Sequence, residues 1–389
     1  MTHLKKLLVR FLTLAVSAFL VISFSPPVAH AAGETINVWT DSGNDDEPLL
    51  KPVAVAFEKA NPSVHVIVNV GPTGDPAVQL GKEMVANGTK DDVFVYYAGS
   101  LFQGLDPTRN LVELTDEPWQ SNVLSSYYPG VSIGTHIYGA PFGSAMGIGI
   151  LYNNAKIKKA GLIPVIQTYA DSWSAQLFIL ADAFNVQVAV PTFAALYTAN
   201  RVKIAKVPAA LPGFQHLADV HKAKYQNKDY ATAKLADGLK YLISGQGVQY
   251  PMLSFVATDL DKMDPKLADN IGIFALSGPT AKGNGLTVWM PNGLFIPKTT
   301  KHLMTAKNFI SFATSQAGVV AMNAALVPSG PYMLKGVQLS GHVSHITIEM
   351  QRYFKAEGKT ALQGATSYDL DVSRESARLG LPGWGKLPG

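Results

Sequence analysis

Small, hydroxylated and acidic residues follow successive predicted strands near the start of the chain. Each strand is short and apolar, and the residues directly after it can donate or accept hydrogen bonds. If the strands are parallel, their carboxyl ends meet at one edge of a sheet, where open α/β sheets bind ligands. Each loop alone has the composition of an ordinary turn, but together they predict a polar crevice. The candidate binding residues in these loops are Asp41, Ser42, Gly99 and Ser100.

Four aromatic residues fall at predicted strand ends or at predicted crossings of the chain. A sugar exposes an apolar C–H face and a rim of hydroxyl groups, so its site needs flat rings for stacking and short polar groups in fixed positions. Core packing is the alternative for each ring, and the sequence leaves both open. A Pro-Asn-Gly interruption of a predicted strand pair over 285–297 adds one amide, Asn292. The aromatic candidates are Trp39, Phe142, Phe255 and Trp289.

One short motif points to a different chemistry. Residues 130–134 match the G-x-S-x-G pattern of serine hydrolases, with Ser132 as the nucleophile. That chemistry requires a strand, a sharp turn and then a helix, so that the hydroxyl is lifted towards a base. Residues 135–139 are a poor helix start. We therefore interpret the motif as a chance match, and a secreted serine hydrolase is the least favoured function.

The residues that could bind a metal form weaker patterns than the serine-hydrolase motif. His342 and His345 are three residues apart, and without a third nearby ligand the pair is interpreted as a solvated helix face. The paired tyrosines Tyr96-Tyr97 and 127–128 leave ferric iron as a minor alternative. Neighbouring strand residues point to opposite faces, so one of Tyr96 and Tyr97 is expected in the core. No cofactor and no metal site is predicted.

The elements that must position these residues alternate between strand and helix. Strands are predicted over 34–40, 64–70 and 93–97, with a helix ending at Asn61-Pro62 and a second ending at Asn87-Gly88 between them. This β-α-β-α-β order predicts parallel strands with right-handed crossovers. A later helix is predicted from the apolar spacing over 303–313, whereas the region 185–231 gives no clear pattern.

The first residues predict export. A basic start is followed by an apolar run of 14 residues, Phe11–Phe24, and by small residues around Ala31. This is the pattern of a secretory signal peptide over 1–31, since a membrane-spanning helix needs about 20 apolar residues. The chain has no cysteine for a disulfide or for a lipid anchor. The expected location is the periplasm or the medium, as a soluble protein without a lipid anchor.

Charge and length restrict the function further. The chain has 32 Lys+Arg and 28 Asp+Glu, and the signal peptide carries three of the basic residues. The mature protein is therefore close to neutral, which argues against a nucleic-acid partner. About 358 residues remain, more than one core usually serves, so two lobes are expected.

The order of several short motifs resembles that of the extracellular solute-binding proteins of ABC importers, in particular the carbohydrate-binding branch that includes maltose-binding protein. Phe255 occupies a position similar to that of the family's cleft tryptophan, and Thr168-Tyr169-Ala170-Asp171 stands where the family usually has a threonine-tryptophan-acid helix start. The matching segments are Ile36-Asn37-Val38-Trp39, 57–62, 91–94, Tyr138-Gly139-Ala140-Pro141, 151–154, 160–162 and 306–312.

The resemblance implies an α/β fold with two lobes of the periplasmic binding protein type, similar to type II. Each lobe is expected to have a mostly parallel sheet flanked by helices, with crossing strands between the lobes. The expected boundaries are 32–141 and 292–328 for the N-terminal lobe, and 142–291 and 329–389 for the C-terminal lobe.

The implied function is the capture of a small solute between the lobes of a monomer and its delivery to the membrane permease of an ABC importer. No enzymatic activity is implied. A mono- or oligosaccharide is the leading ligand, and a polyamine, an organic anion or ferric ion is the alternative.

Overall fold

The computed structural model describes residues 33–42, 46–72, 75–154, 161–198, 201–278, 284–337, 339, 341–356 and 359–363. The predicted signal peptide lies outside these residues. Within them, no helix combines the length and the apolar composition that crossing a membrane would require.

The predicted β-α-β-α-β start is confirmed. Strands β1 (Glu34–Thr40), β2 (Val64–Val70) and β3 (Val93–Tyr97) are parallel, in the order β2-β1-β3. Helix α1 (Asp46–Ala60) connects the first two strands, and α2 (Asp75–Asn87) connects the second and third. Gly88, at φ +86°, follows the end of α2 in a left-handed conformation that glycine adopts without strain.

Two later strands complete the first sheet. They are β6 (Gly139–Phe142) and β12 (Asn292–Phe295). The full order is β2-β1-β3-β12-β6, and β12 is antiparallel to both of its neighbours. The sheet is therefore parallel except for one strand, as expected for a lobe of this fold.

The second sheet follows the same rule. Its central strand β7 (Met146–Asn153) is antiparallel to β9 (Gly247–Leu253), β10 (Ile271–Phe274) and β11 (Leu286–Trp289). The edge strands β8 (Ile163–Val165) and β13 (Thr360–Gln363) pair in parallel with β9 and β11. A separate two-stranded hairpin is formed by β4 (Ser132–Ile133) and β5 (His136–Ile137).

Helices cover both sheets. Helices α3 and α4 follow β3, and α5 to α9 lie between β8 and β9. The region that gave no clear pattern thus supplies helices for the second lobe. The bounds are α3 Ser100–Gln103, α4 Pro107–Asn110, α5 Leu177–Ala181, α6 Ala183–Ala189, α7 Phe193–Thr198, α8 Leu211–Lys222, α9 Leu235–Ile243, α10 Ala257–Met263, α11 Pro265–Ala268, α12 Leu303–Ala313, α13 Gln316–Asn323 and α14 His345–Lys355.

The cores explain this arrangement. On one face of the first sheet, Val38 is fully buried with α1, and the Phe57 ring packs edge-on against that of Phe309 at 5.2 Å between centroids. On the other face, Tyr96 and Phe102 are buried. The second lobe has its own core, which includes Ile148 of β7.

The chain passes between the sheets at three connections. The first is Gly143–Ala145, between β6 and β7, and the second is Met290–Pro291, between β11 and β12. The third, between α13 and α14, has the described residues 324–337, 339 and 341–344. It lies against the first, because the backbone N–H of Ala145 donates to the carbonyl of Pro331 at 2.8 Å. Gly330 allows this close approach, since a Cβ there would lie 2.1 Å from the carbonyl oxygen of Ala145. The lobe boundaries themselves stay a prediction.

One expectation about this region was wrong. The segment 285–297 was expected to form a strand pair interrupted at residues 291–293. Its two strands, β11 and β12, lie in different sheets, and Asn292 and Gly293 belong to β12. The break falls at Met290–Pro291 instead, because these residues form the connection between the lobes.

Candidate functional site

The carboxyl ends of the parallel strands in the first sheet bring polar side chains together. Asn292, the first residue of β12, pairs in register with Tyr97 at the end of β3 and with Phe142 at the end of β6. Residues directly opposite each other in antiparallel strands point to the same face. These three residues therefore form a row. We call this row, together with Asp41, the residue after β1, the first edge.

Two polar groups of the first edge are buried, and a hydrogen bond from Tyr97 holds Asp41 in place. Asp41 is 3% exposed and Asn292 is 1% exposed. The hydroxyl of Tyr97 donates to Oδ2 of Asp41 at 2.5 Å, which links the end of β3 to the end of β1. A carboxylate fixed by a hydrogen bond from its own lobe is preorganised to accept further hydrogen bonds from a solute.

The remaining polar candidates lie next to this edge. Gly99 has φ +70°, and its backbone N–H donates to the carbonyl of Gly130 at 2.8 Å. Ser100 begins α3 and is half-buried, whereas Ser42 is exposed. The structure thus places Asp41, Asn292 and Phe142 in the first edge. The other predicted residues, Ser42, Gly99 and Ser100, lie beside it.

Half-buried aromatic rings lie at the end of the second sheet that is next to the connections. We call this end the second edge. Phe255 follows the end of β9, and Trp289 ends β11. Their strands are joined by β7, in which Ile148 pairs with Leu253 and Met146 pairs with Trp289. The hydroxyl of Ser254 accepts a hydrogen bond from the backbone N–H of Gly147 at 2.9 Å, which fixes the turn that carries Phe255.

A third ring joins the second edge from another part of the chain. Trp173, in the short 3₁₀ helix Ser172–Gln176, lies 6.1 Å from Phe255 between ring centroids, with the planes tilted by 50°. Both rings are half-buried and pack against the second lobe's core. They form an aromatic surface that is only partly covered by protein.

The connections keep the two edges close to each other. Three Cα–Cα steps separate Trp289 from Asn292, so these residues lie at most about 11 Å apart. Four steps separate Phe142 from Met146, which gives at most about 15 Å. Asn292 of the first edge and Trp289 of the second are therefore close enough to contact one small molecule.

The four predicted aromatic residues fall into two groups. Trp39 is 5% exposed and Phe142 is 2% exposed, whereas Phe255 and Trp289 are half-buried. Trp39 packs closely against the backbone after β2, since a Cβ on Gly71 would lie 2.7 Å from its Cζ2. This burial favours the core-packing alternative for Trp39, while its role in binding stays a prediction.

Sequence reasoning did not select Tyr97 or Trp173 as binding residues. Tyr97 was considered only for iron, although its position directly before Ala98-Gly99 puts it at the edge. Trp173 lies far from Phe255 in the sequence, and no local pattern indicates their contact. The expectation that one residue of the pair 96–97 lies in the core is confirmed, because Tyr96 is 2% exposed.

The competing motifs have structural explanations. Ser132 lies in the β4–β5 hairpin with no helix after it, and its hydroxyl donates to the carbonyl of Tyr128 at 2.7 Å. The helix-face interpretation of the two histidines was wrong, since His342 precedes α14 and contacts Asp261 at 3.0 Å, and His345 begins that helix. Among the described residues, no group of three or more His, Cys, Asp or Glu is placed to hold a metal ion.

Comparison with known families assigns this architecture. The model of the family described as bacterial extracellular solute-binding protein matches residues 40–320. The chain belongs to this family. The resemblance inferred from short motifs is thereby confirmed. In this solute-binding protein, the two edges lie next to the connections between the lobes. No curated protein sequence matches the chain.

Solved structures share the fold at low sequence identity. A chitin oligosaccharide binding protein is 20% identical, with a TM-score of 0.69, over 90% of this chain and 95% of its own. RafE in complex with raffinose is 18% identical, with a TM-score of 0.66, over 85% and 90%. The putative binding protein MsmE of Bacillus subtilis, in an open conformation, is 16% identical, with a TM-score of 0.66, over 90% and 98%. They confirm the two-lobed α/β fold.

Proposed function

We propose that this solute-binding protein captures a neutral carbohydrate between the first and second edges and delivers it to the membrane permease of an ABC importer. The observation that carries the proposal is the pairing of a buried hydrogen-bonding edge with a half-buried aromatic edge, at most about 11 Å apart at the second connection. The exported protein acts as a monomer and catalyses no reaction.

The chemistry of the two edges supports a carbohydrate. Asp41 and Asn292 supply the fixed acceptors and donors that hydroxyl groups require, and Phe255 and Trp173 supply flat apolar surface for the C–H face of a sugar ring. Two of the proteins that share the fold are named for raffinose and for chitin oligosaccharide. These names support the same ligand class.

The charge of the edges supports a neutral solute. The described residues at the two edges and at the first two connections, 40–42, 97–100, 142–146, 253–255 and 289–292, include no lysine, arginine or histidine. An organic anion would lack a cationic partner there, and binding a charge without one is costly. Asp41 is the acidic residue of this set, so a polyamine is the alternative that the test must separate.

Closure of the lobes supplies the mechanism. A solute that contacts only one edge loses the contacts of the other, so its affinity for the closed form is higher. Binding shifts the open–closed equilibrium towards the closed form by an amount set by this difference in affinity. The closed form is then the state that the permease recognises.

A thermal-shift panel tests the ligand class. The purified protein is heated with raffinose, chitobiose, D-galactose, spermidine and citrate, each at rising concentration. A sugar present at 100 times its dissociation constant should stabilise the folded protein by about 2.7 kcal/mol. Stabilisation by spermidine or citrate, with none by any sugar, would show that the carbohydrate assignment is wrong.

A second assay tests the absence of catalysis. The hairpin position of Ser132 predicts no hydrolysis of p-nitrophenyl acetate above the rate in buffer. Ser132→Ala should bind the stabilising sugar like the parent protein. Esterase activity that is present in the parent and lost in Ser132→Ala would contradict the proposed function.

A further inference from the structure

The side of β2 that faces away from β1 is an open border of the first sheet. β2 is the terminal strand in the order β2-β1-β3-β12-β6, and no strand in the described part of the chain pairs with this side. An unpaired border presents a row of N–H and C=O groups that can pair with another chain, so natural strands protect it with charged side chains, proline or bulges. β2 reads VHVIVNV, with no Lys, Arg, Asp, Glu or Pro, and it pairs with β1 without a bulge. Its protection must come from elsewhere.

The N–H groups of β2 alternate between its two sides. After the end of the strand, the N–H of Gly71 donates to the carbonyl of Thr40 in β1 at 2.8 Å. Because β2 pairs with β1 residue by residue in parallel, every second N–H counted back from Gly71 also faces β1. The residues whose N–H and C=O groups face the open side are therefore Val64, Val66, Val68 and Val70.

One carboxylate covers the start of this row. Oε1 of Glu58, in the last turn of α1, accepts a hydrogen bond from the N–H of Val66 at 2.7 Å, and it lies 2.7 Å from Nδ1 of His65. The N–H of Val64 donates to the carbonyl of Asn61 at 2.9 Å. The row is thus closed at its amino end by α1 and the turn after it.

The open side of β2 is complementary to a second copy of itself. Valine occupies every position that faces outwards, so this row reads the same in both directions. In an antiparallel pair of β2 strands about a twofold axis at Ile67, Val66 of one copy lies opposite Val68 of the other. Cross-strand pairs of β-branched residues stabilise a sheet, and no like charges meet in this pairing.

We propose that Glu58 keeps the open side of β2 from pairing with β2 of a second copy, so that the monomeric state of the protein depends on this carboxylate. An antiparallel partner must bring a carbonyl to the N–H of Val66, where the carboxylate already lies. The carbonyl must displace a charged acceptor, which forms the stronger hydrogen bond. Without the carboxylate, the N–H of Val66, a residue that is 7% exposed, gains an acceptor when a second copy supplies one.

This inference does not depend on the identity of the solute. Helix α1 begins after the carboxyl end of β1 and ends before the amino end of β2, so Glu58 lies at the end of the sheet away from the first edge. A change at Glu58 should therefore leave sugar binding unchanged. The mass of the protein and its affinity for a sugar are separate readouts, and either proposal can fail while the other stands.

Static light scattering over a concentration series tests the inference on Glu58→Ala. The parent should keep the mass of a monomer up to about 1 mM protein, whereas the mass of Glu58→Ala should rise with concentration towards twice that value, because a dimer with a dissociation constant in this range is then partly formed. Glu47→Ala is the matched control. Glu47 lies on the same helix, its side chain is 31% exposed like that of Glu58, and it pairs with Lys51 instead of a strand. This variant should remain a monomer.

A second change locates the contact. Proline has no N–H and is tolerated on an edge strand where the N–H faces solvent, so Val68→Pro removes an outward donor and leaves the hydrogen bonds with β1. Glu58→Ala/Val68→Pro should return to the mass of a monomer. If the proline prevents folding, Val70→Lys, at a residue that is 42% exposed, makes the same test, since a lysine on an edge strand opposes pairing.

Far-UV circular dichroism checks that each variant is folded. If Glu58→Ala precipitates, the soluble fraction is the readout, and the second change should restore it. A monomeric Glu58→Ala at every concentration would overturn the inference. So would a dimeric parent, a dimeric Glu47→Ala, or self-association of Glu58→Ala that neither second change abolishes.

Discussion

The two edges of the candidate site offer different chemistry to a solute. At the first edge, the polar groups Asp41 and Asn292 are at most 3% exposed, and Tyr97 holds Asp41 in place. At the second edge, Phe255, Trp173 and Trp289 are half-buried and hold no comparable polar pair. The first edge can fix the orientation of a solute, and the second can cover it.

This division follows from how each group behaves in water. A buried polar group must be hydrogen-bonded to be tolerated, so it is held by its own lobe before the solute arrives. An aromatic ring can remain half-exposed at little cost and gains from any flat apolar partner. The first edge therefore determines direction and specificity, and the second edge supplies contact area on closure.

The largest expected effect is a loss of stability when Trp39, an aromatic residue of the first lobe, is removed, compared with removal of an aromatic residue of the second edge. Trp39→Ala removes a ring that is 5% exposed and packed against Gly71, so the free energy of unfolding should fall by about 3–5 kcal/mol. Urea denaturation measures this, with Trp289→Ala as the half-buried tryptophan control. If Trp39→Ala instead abolishes sugar binding and leaves stability unchanged, the ring belongs to the binding surface and the comparison of the edges is wrong.

Trp39 and Phe255 also show what the sequence can predict. The alternation of valines in β2 and the breakers after α1 are local signals, so the start of the first lobe is confirmed almost residue by residue. Both aromatic residues have the same local signal, an aromatic at a strand end. Their difference in burial arises from contacts with Gly71 and with Trp173, which are distant in sequence.

Pairing between strands that are distant in the sequence also limits what can be predicted for the first edge. The row of Tyr97, Asn292 and Phe142 depends on β12 entering the first sheet between β3 and β6. No pattern near Asn292 indicates this, because register between distant strands is a tertiary property. The polar edge could be predicted from the loops after β1 and β3, and the family resemblance placed 292–328 in the first lobe, but the position of β12 between β3 and β6 could not be predicted.

The buried carboxyl group of Asp182, in the second lobe, should make the stability of the protein depend on pH. Burial raises the pKa of Asp182 from 3.8 to about 6, although Asn185 and the backbone N–H of Gly213 donate to its carboxylate. The folded protein therefore keeps a proton that the unfolded chain has lost. The free energy of unfolding should fall as pH rises from about 4 to about 6, by about 3 kcal/mol at 1.36 kcal/mol per unit.

Asp182→Asn isolates this contribution. The difference in unfolding free energy between the variant and the parent should change by about 3 kcal/mol between pH 4 and pH 7, and stay constant above pH 7. Asp219→Asn, at an exposed carboxylate on α8, is the control for the effect of the substitution itself. A pH-independent difference for Asp182→Asn would show that this carboxyl ionises as it does in the unfolded chain.

The first edge should account for the largest single loss of binding. Asp41→Ala removes a charged acceptor, and hydrogen bonds to charged groups contribute about 1.5–3 kcal/mol, so the dissociation constant should rise about 10–150-fold. Tyr97→Phe should have a smaller effect, since it removes only the group that orients Asp41. Asp259→Ala, at a half-exposed carboxylate on α10, is the matched control. Equal affinities for Asp41→Ala and the control would remove the first edge from the site.

The smallest effects should come from the second edge, and they should be coupled. Phe255→Ala and Trp173→Ala each remove one ring of a contacting pair, so each should raise the dissociation constant about 2–12-fold, the range for a stacking contact of about 0.5–1.5 kcal/mol. Tyr225→Ala, at a tyrosine that is 53% exposed in the same lobe, should leave binding unchanged. Because the rings form one surface, the double variant should lose less affinity than the two single losses predict together. Small-angle scattering should show a smaller radius of gyration for the parent with saturating sugar, since both rings reach the solute only when the lobes close. Independent losses would mean that the rings act separately, and parent-like affinity in both single variants would place the aromatic contacts outside the second edge.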